Sequence, residues 1–111
     1  MEVRTTTEKN AGILHVSGQF GYGDEKRLAD LGKTLALQGA AVIAIDATGL
    51  DYINSLGVAA LLALMKVTDE HNCEYVVYGM KKSVELIVQK VFENEYVPML
   101  TADEFRRRFL E

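Results

Sequence analysis

Ser55 stands where a hydroxyl can do chemistry. It lies in Asp51-Tyr52-Ile53-Asn54-Ser55-Leu56-Gly57, between an apolar stretch ending near Ala47 and the apolar run Val58 to Met65. Asn54 is a favoured helix N-cap residue, which puts Ser55 at the first helical position. Backbone N–H groups there have no partner inside the helix and sit at the positive end of its dipole. A phosphate is well held in such a place. The hydroxyl can serve as a structural serine, a nucleophile or a phosphoacceptor. A nucleophile needs a base within reach. His71 falls at the far end of the same helix, about four turns away, and His15 is distant in sequence. The motif is Asn-Ser-Leu-Gly rather than Gly-x-Ser-x-Gly. No catalytic residue is expected, and the chain is not read as an enzyme.

Other chemistry has little material. Asp46 and Asp51 flank the loop, but a hard cation needs more oxygen ligands than these two supply, so they read as solvated carboxylates that help present Ser55. His15, His71 and the single Cys73 are scattered without metal-ligand spacing, so no metal is expected. His15 points away from the face of Leu14 and Val16 and reads as a partly covered structural histidine. Gly18-Gln19-Phe20-Gly21-Tyr22-Gly23 lacks the Lys-Ser or Lys-Thr ending of a phosphate-cradling loop and the spacing of a dinucleotide motif. No cofactor is expected, and the segment reads as a flexible connection. Its aromatics, Phe20 and Tyr22, are of the type that binding surfaces use.

The surrounding chain is that of one folded domain. It has 111 residues, 49% hydrophobic and 25% charged, with a formal net charge of -4. That balance fits a single domain over 1–111 and argues against a nucleic-acid binder. Arg106-Arg107-Arg108, flanked by Asp103, Glu104 and Glu111, reads as a solvated helix face. The lone cysteine suggests a reducing compartment. The N-terminus has no signal-peptide core, and the longest apolar run is well short of a membrane span. A soluble cytoplasmic protein is the expectation.

The positioning elements follow from periodicity. Glu2 to Glu8 is Val- and Thr-rich and reads as an edge strand. Asn10-Ala11-Gly12 reads as a turn, and Ile13 to Ser17 as the returning strand. Asp24 to Leu37 has helical spacing, acids in its first turn and Gly39 as a stop. Ala40 to Ala47 is continuously apolar, as in a strand buried on both faces at the sheet centre. A buried helix runs from Ser55 to His71, and a strand from Glu74 to Gly79. An amphipathic helix spans Lys82 to Val91, with Val84, Ile87, Val88 and Val91 on its apolar stripe. Tyr96 to Leu100 is a short edge strand, where Pro98 is tolerated. Thr101 and Glu104 have capping-box spacing and open a last helix with Phe105 and Phe109 facing one way. The order is β-β-α-β-α-β-α-β-α, an α/β fold in which a mixed β-sheet has helices packed against it.

Taken together, Val42-Ile43-Ala44-Ile45-Asp46-Ala47 and Leu50 to Val58, around Asn54-Ser55-Leu56-Gly57, resemble the signature of the STAS domain. The bacterial anti-sigma factor antagonists are the nearer likeness. Leu14 to Phe20 resembles the family's second strand and its glycine, and Tyr75 to Gly79 with Val84 and Ile87 its later strand and helix. The resemblance covers essentially the whole chain and implies a STAS-like fold. It makes Ser55 the phosphorylation site, modified by a serine kinase that is also an anti-sigma factor and restored by a PP2C-type phosphatase. The unphosphorylated form would bind that kinase and release a sigma factor. Phe20, Tyr22, Asp51, Asn54, Leu56 and Gly57 are then the expected partner-binding residues, Gly57 because a bare backbone admits close approach. Asn54 stands where phosphorylated members usually carry Asp, and Leu56 where they carry Ser or Thr. The alternative is an unphosphorylated scaffold or regulatory subunit of a signalling or lipid-transport assembly.

Overall fold

The computed structural model describes residues 1–92 and 98–111. Among these residues five strands lie in the order β1-β2-β3-β4-β5. They are β1 (Glu2–Glu8), β2 (Ala11–Ser17), β3 (Val42–Gly49), β4 (Glu74–Tyr78) and β5 (Met99–Leu100). β1 is antiparallel to β2, and every later neighbour is parallel. Parallel neighbours need crossover helices. These are α1 (Asp24–Leu37), α2 (Ser55–Glu70) and α3 (Lys82–Val91), with α4 (Ala102–Phe105) continuing into a π-helical turn, Arg106–Leu110.

β3 is central, as its unbroken apolar run predicts. Ile43, Ile45 and Ala47 join Leu14 and Val16 of β2 under the three crossover helices, alongside Leu28, Leu61, Leu64, Val84 and Val88. Val42 and Ala44 face the other way, with Ile13, Val76 and Tyr78, under the C-terminal segment. Phe105 stacks on Tyr78, with ring centroids 4.3 Å apart and planes 8° from parallel, and Phe109 leans on Phe105 at 5.3 Å. The capping box is complete: the Glu104 N–H donates to Thr101 Oγ1, and the Thr101 N–H donates to Glu104 Oε1. The three consecutive arginines are exposed. Arg106 pairs with Asp103 and Glu111, and Arg108 with Glu74.

Several boundaries differ from the sequence expectation. The hairpin turn is at Lys9, whose φ of 55° is left-handed, and Ala11 and Gly12 already belong to β2. Gly12 is there because a Cβ would come within 3.1 Å of the Leu35 side chain. It marks a close approach of α1 rather than a bend. β3 begins two residues late because Ala40 closes α1: its N–H donates to Leu35 O while the Gly39 N–H donates to Ala36 O, the paired bonds of a Schellman ending. On α3 the inward stripe is Val84 and Val88, and Ile87 and Val91 lie outward. Of the expected last strand, Met99 and Leu100 are paired, and Tyr96 and Val97 lie outside the described residues.

Candidate functional site

The candidate site forms where the loop after β2 meets the loop that opens α2. Asn54 is extended and its side chain faces two ways. Its Oδ1 accepts from the Gly57 N–H at 2.9 Å, the N-cap bond, and its Nδ2 donates to the Phe20 carbonyl at 2.9 Å. The Val58 N–H reaches the Asn54 carbonyl. Among the described residues this leaves the N–H groups of Ser55 and Leu56 without a partner in the chain. Ser55 is exposed at the first position of α2, and its hydroxyl makes no hydrogen bond to a described residue. No acid stands in the first turn of α2. A phosphate on Ser55 would therefore meet free donors and a favourable dipole, with no repulsion from its own helix.

Two expected contact residues are corrected. Phe20 is 3% exposed and belongs to the core. A Cβ on Gly57 would lie 2.7 Å from Phe20 Cδ2 and 2.6 Å from Ile53 Cγ1. The bare backbone of Gly57 is thus used by the protein's own Phe20 ring and Ile53, and offers no docking notch. The exposed side chains on the two loops that Asn54 ties together are instead Tyr22, 95% exposed, Tyr52, 53% exposed, and Asp51, with Leu56 half-buried in the first turn of α2. Tyr52 was absent from the expected set. Lys81, the cap of α3, forms an ion pair with Asp51.

The glycine-rich loop is a built structure, not the flexible connection expected. Asp24 Oδ2 accepts from the Gly21 N–H at 2.7 Å, and Arg27 Nη1 reaches Asp24 Oδ1 at 3.2 Å. These bonds, the backbone one foremost, hold the Asp24 carboxyl below its ordinary range. Gly23 supplies the left-handed cap of α1, with φ 90°.

Asp46 is also misplaced by the expectation of a solvated loop carboxylate. It lies in β3 directly opposite His15 of β2. His15 Nδ1 is 2.6 Å from Asp46 Oδ2, and His15 Nε2 is 2.7 Å from Thr6 Oγ1. Asp46 Oδ1 accepts from the Thr48 N–H and hydroxyl. Burial alone would raise the Asp46 carboxyl, but the bonds from Thr48 and His15 outweigh it and hold it low. Burial, with Asp46 adjacent, pushes the Tyr78 phenol up to about 12. Thr6, His15 and Asp46 tie three neighbouring strands together on the sheet face opposite the crossover helices. Sequence alone gave no signal for this, because strand adjacency brings the three together. His71 is equally committed, with Nδ1 against the Val67 carbonyl at the end of α2. Neither ring is bonded to Ser55.

Among the described residues no cluster of three or more His, Cys, Asp or Glu could hold a metal ion. None of their helices is long and apolar enough to cross a membrane.

Comparison with known proteins gives a consistent answer. Three similar solved structures share the fold. The anti-sigma factor antagonist SpoIIAA in its unphosphorylated form has TM-score 0.74 and 16% identity, with 96% of this chain and 95% of that one covered. An anti-sigma factor antagonist from Mycobacterium paratuberculosis has TM-score 0.74 and 12% identity, covering 99% and 94%. A variant of RsbS from Moorella thermoacetica has TM-score 0.72 and 12% identity, covering 92% and 86%. No curated protein matches by sequence. Residues 2–108 match the STAS domain family, and the chain therefore belongs to that family.

Proposed function

We propose that this protein is an anti-sigma factor antagonist whose partner contact is switched by phosphorylation of Ser55. The observation that carries the reading is the exposed Ser55 hydroxyl at the mouth of α2, which, like the backbone N–H groups of Ser55 and Leu56, has no hydrogen-bond partner among the described residues. The similar structures of anti-sigma factor antagonists support it at the level of fold. In the unmodified state, Tyr22, Tyr52, Leu56 and Asp51 form the contact surface for an anti-sigma factor that is also a serine kinase. Binding that partner frees its sigma factor.

Phosphorylation adds about 1.5 to 2 negative charges. The fold tolerates them, because the helix start receives anions well. The contact surface does not, because a phosphate among two tyrosines and a leucine must be desolvated on docking. A PP2C-type phosphatase resets the switch. The test is the intact mass of the protein after incubation with its kinase and ATP. A gain of one phosphate, abolished in Ser55→Ala, is the expected result. No gain would favour an unphosphorylated regulatory subunit instead.

A further inference from the structure

Among the described residues β1 is an edge of the sheet, with β2 on one side and no strand on the other. It runs seven residues, Glu-Val-Arg-Thr-Thr-Thr-Glu, without proline or bulge. Natural edges are usually shortened, bulged or broken by proline, because an open row of N–H and C=O groups recruits another strand. Here charge alone governs what can pair. Alternation puts Glu2, Arg4, Thr6 and Glu8 on one face, opposite Ser17, His15, Ile13 and Ala11 of β2. Among the described residues, Arg4, Glu2 and Glu8 form no ion pair.

A second copy of the strand can add antiparallel about a two-fold axis normal to the sheet, which preserves the face of every side chain. Three central registers are then available. Centred on Arg4, the arginine meets its own copy. Centred on Thr5, Glu2 meets Glu8. Centred on Thr6, Arg4 of each chain faces Glu8 of the other, so two opposite-charge pairs form by symmetry and Thr5 faces Thr7. Opposite charges across a strand pair stabilise it, and like charges destabilise it. Of these three only the Thr6 register joins unlike charges; centring on Val3 would also set Glu2 against Arg4, but it overlaps only residues 2–4 of the strand, whereas the Thr6 register overlaps 4–8.

We propose that β1 is a self-docking edge, pairing two copies of this chain antiparallel around Thr6 with Arg4 against the second copy's Glu8. The sheet would then continue from one five-stranded half into the other. The contact is short, so the dimer is weak and concentration-dependent. Ser55 opens the helix that follows β3, two strands in from this edge. Edge pairing therefore leaves the switch hydroxyl uncovered, and the proposal stands apart from the antagonist reading.

Analytical ultracentrifugation at low salt, from micromolar to near-millimolar protein, tests it. The wild type should show a monomer–dimer equilibrium that weakens with added salt. Arg4→Glu alone and Glu8→Arg alone each oppose like charges and should weaken association about tenfold or more. Both positions are exposed, so circular dichroism should show both variants folded. Mixing the two single variants should restore a dimer, because each then meets an opposite charge twice, and the double variant should self-associate again. A monomer throughout, a dimer indifferent to the reversals, or a mixture that stays monomeric would each overturn the proposal.

Discussion

Asn54 holds the Phe20 carbonyl with its amide nitrogen while its amide oxygen caps α2, both at 2.9 Å. One side chain thus fixes the start of α2 and ties it to the loop that carries Tyr22. A carboxylate could do the first and not the second, since it has no hydrogen to donate. This is a physical reason for asparagine rather than aspartate at this position. Asn54→Asp keeps a good cap and gains charge at the favourable helix end, but sets an anion against a carbonyl. We expect a net loss of about 1–2 kcal/mol, read by urea unfolding. Unchanged stability would mean that the tether contributes nothing.

Ser55→Asp separates fold from contact. The residue is exposed and begins a helix, so the change in stability should stay within about 0.5 kcal/mol. Affinity for the proposed kinase partner should fall by about tenfold or more, or about 1.4 kcal/mol, measured by calorimetry. A sharp fall in melting temperature would instead make Ser55 a structural residue.

Gly32 and Gly57 are helical glycines held by packing. A Cβ on Gly32 would sit 2.2 Å from Leu64 Cδ1, where α1 crosses α2, and one on Gly57 would strike Ile53 and Phe20. Alanine gains up to about 1 kcal/mol of helix propensity, against overpacking that costs about 1–3 kcal/mol. Leu64, Phe20 and Ile53 are buried and have little room to retreat. Both Gly32→Ala and Gly57→Ala should therefore lower the unfolding midpoint. In Gly57→Ala, adding Phe20→Leu should recover part of the loss.

These glycines show what the sequence could and could not convey. The central strand and the buried helix were legible because an apolar run on both faces has few other solutions. The place of Ser55 at the start of a helix was legible because Asn54 marks that start. Phe20 was misread because an aromatic on a glycine-rich loop looks exposed until the hole left by Gly57, 37 positions on, is known to receive its ring. The start of β2 was misread because Gly12 signals a close helix contact with the same letter that signals a turn. The Thr6–His15–Asp46 array was invisible because nothing local announces that β2 and β3 are neighbours in that register.

That array supplies a prediction about acid stability. Asp46 and Asp24 both titrate below the ordinary value of 3.8, Asp46 because the bonds from Thr48 and His15 outweigh its burial, and Asp24 chiefly through the Gly21 N–H. A carboxyl depressed in the folded state binds a proton more readily when unfolded. Its stabilisation is therefore complete above the unfolded value and is lost as pH falls through the folded one. The window is the acid limb below about pH 4, with no contribution to pH dependence near neutrality. Asp46→Asn and Asp24→Asn keep the shape of the side chain and remove its titration. Each should be less stable than wild type at pH 7, with the gap narrowing as the pH is lowered through that limb. Urea midpoints taken from pH 7 down to pH 2 read this directly. A gap that stays constant across the range would show that neither carboxylate gains from its partners in the folded chain.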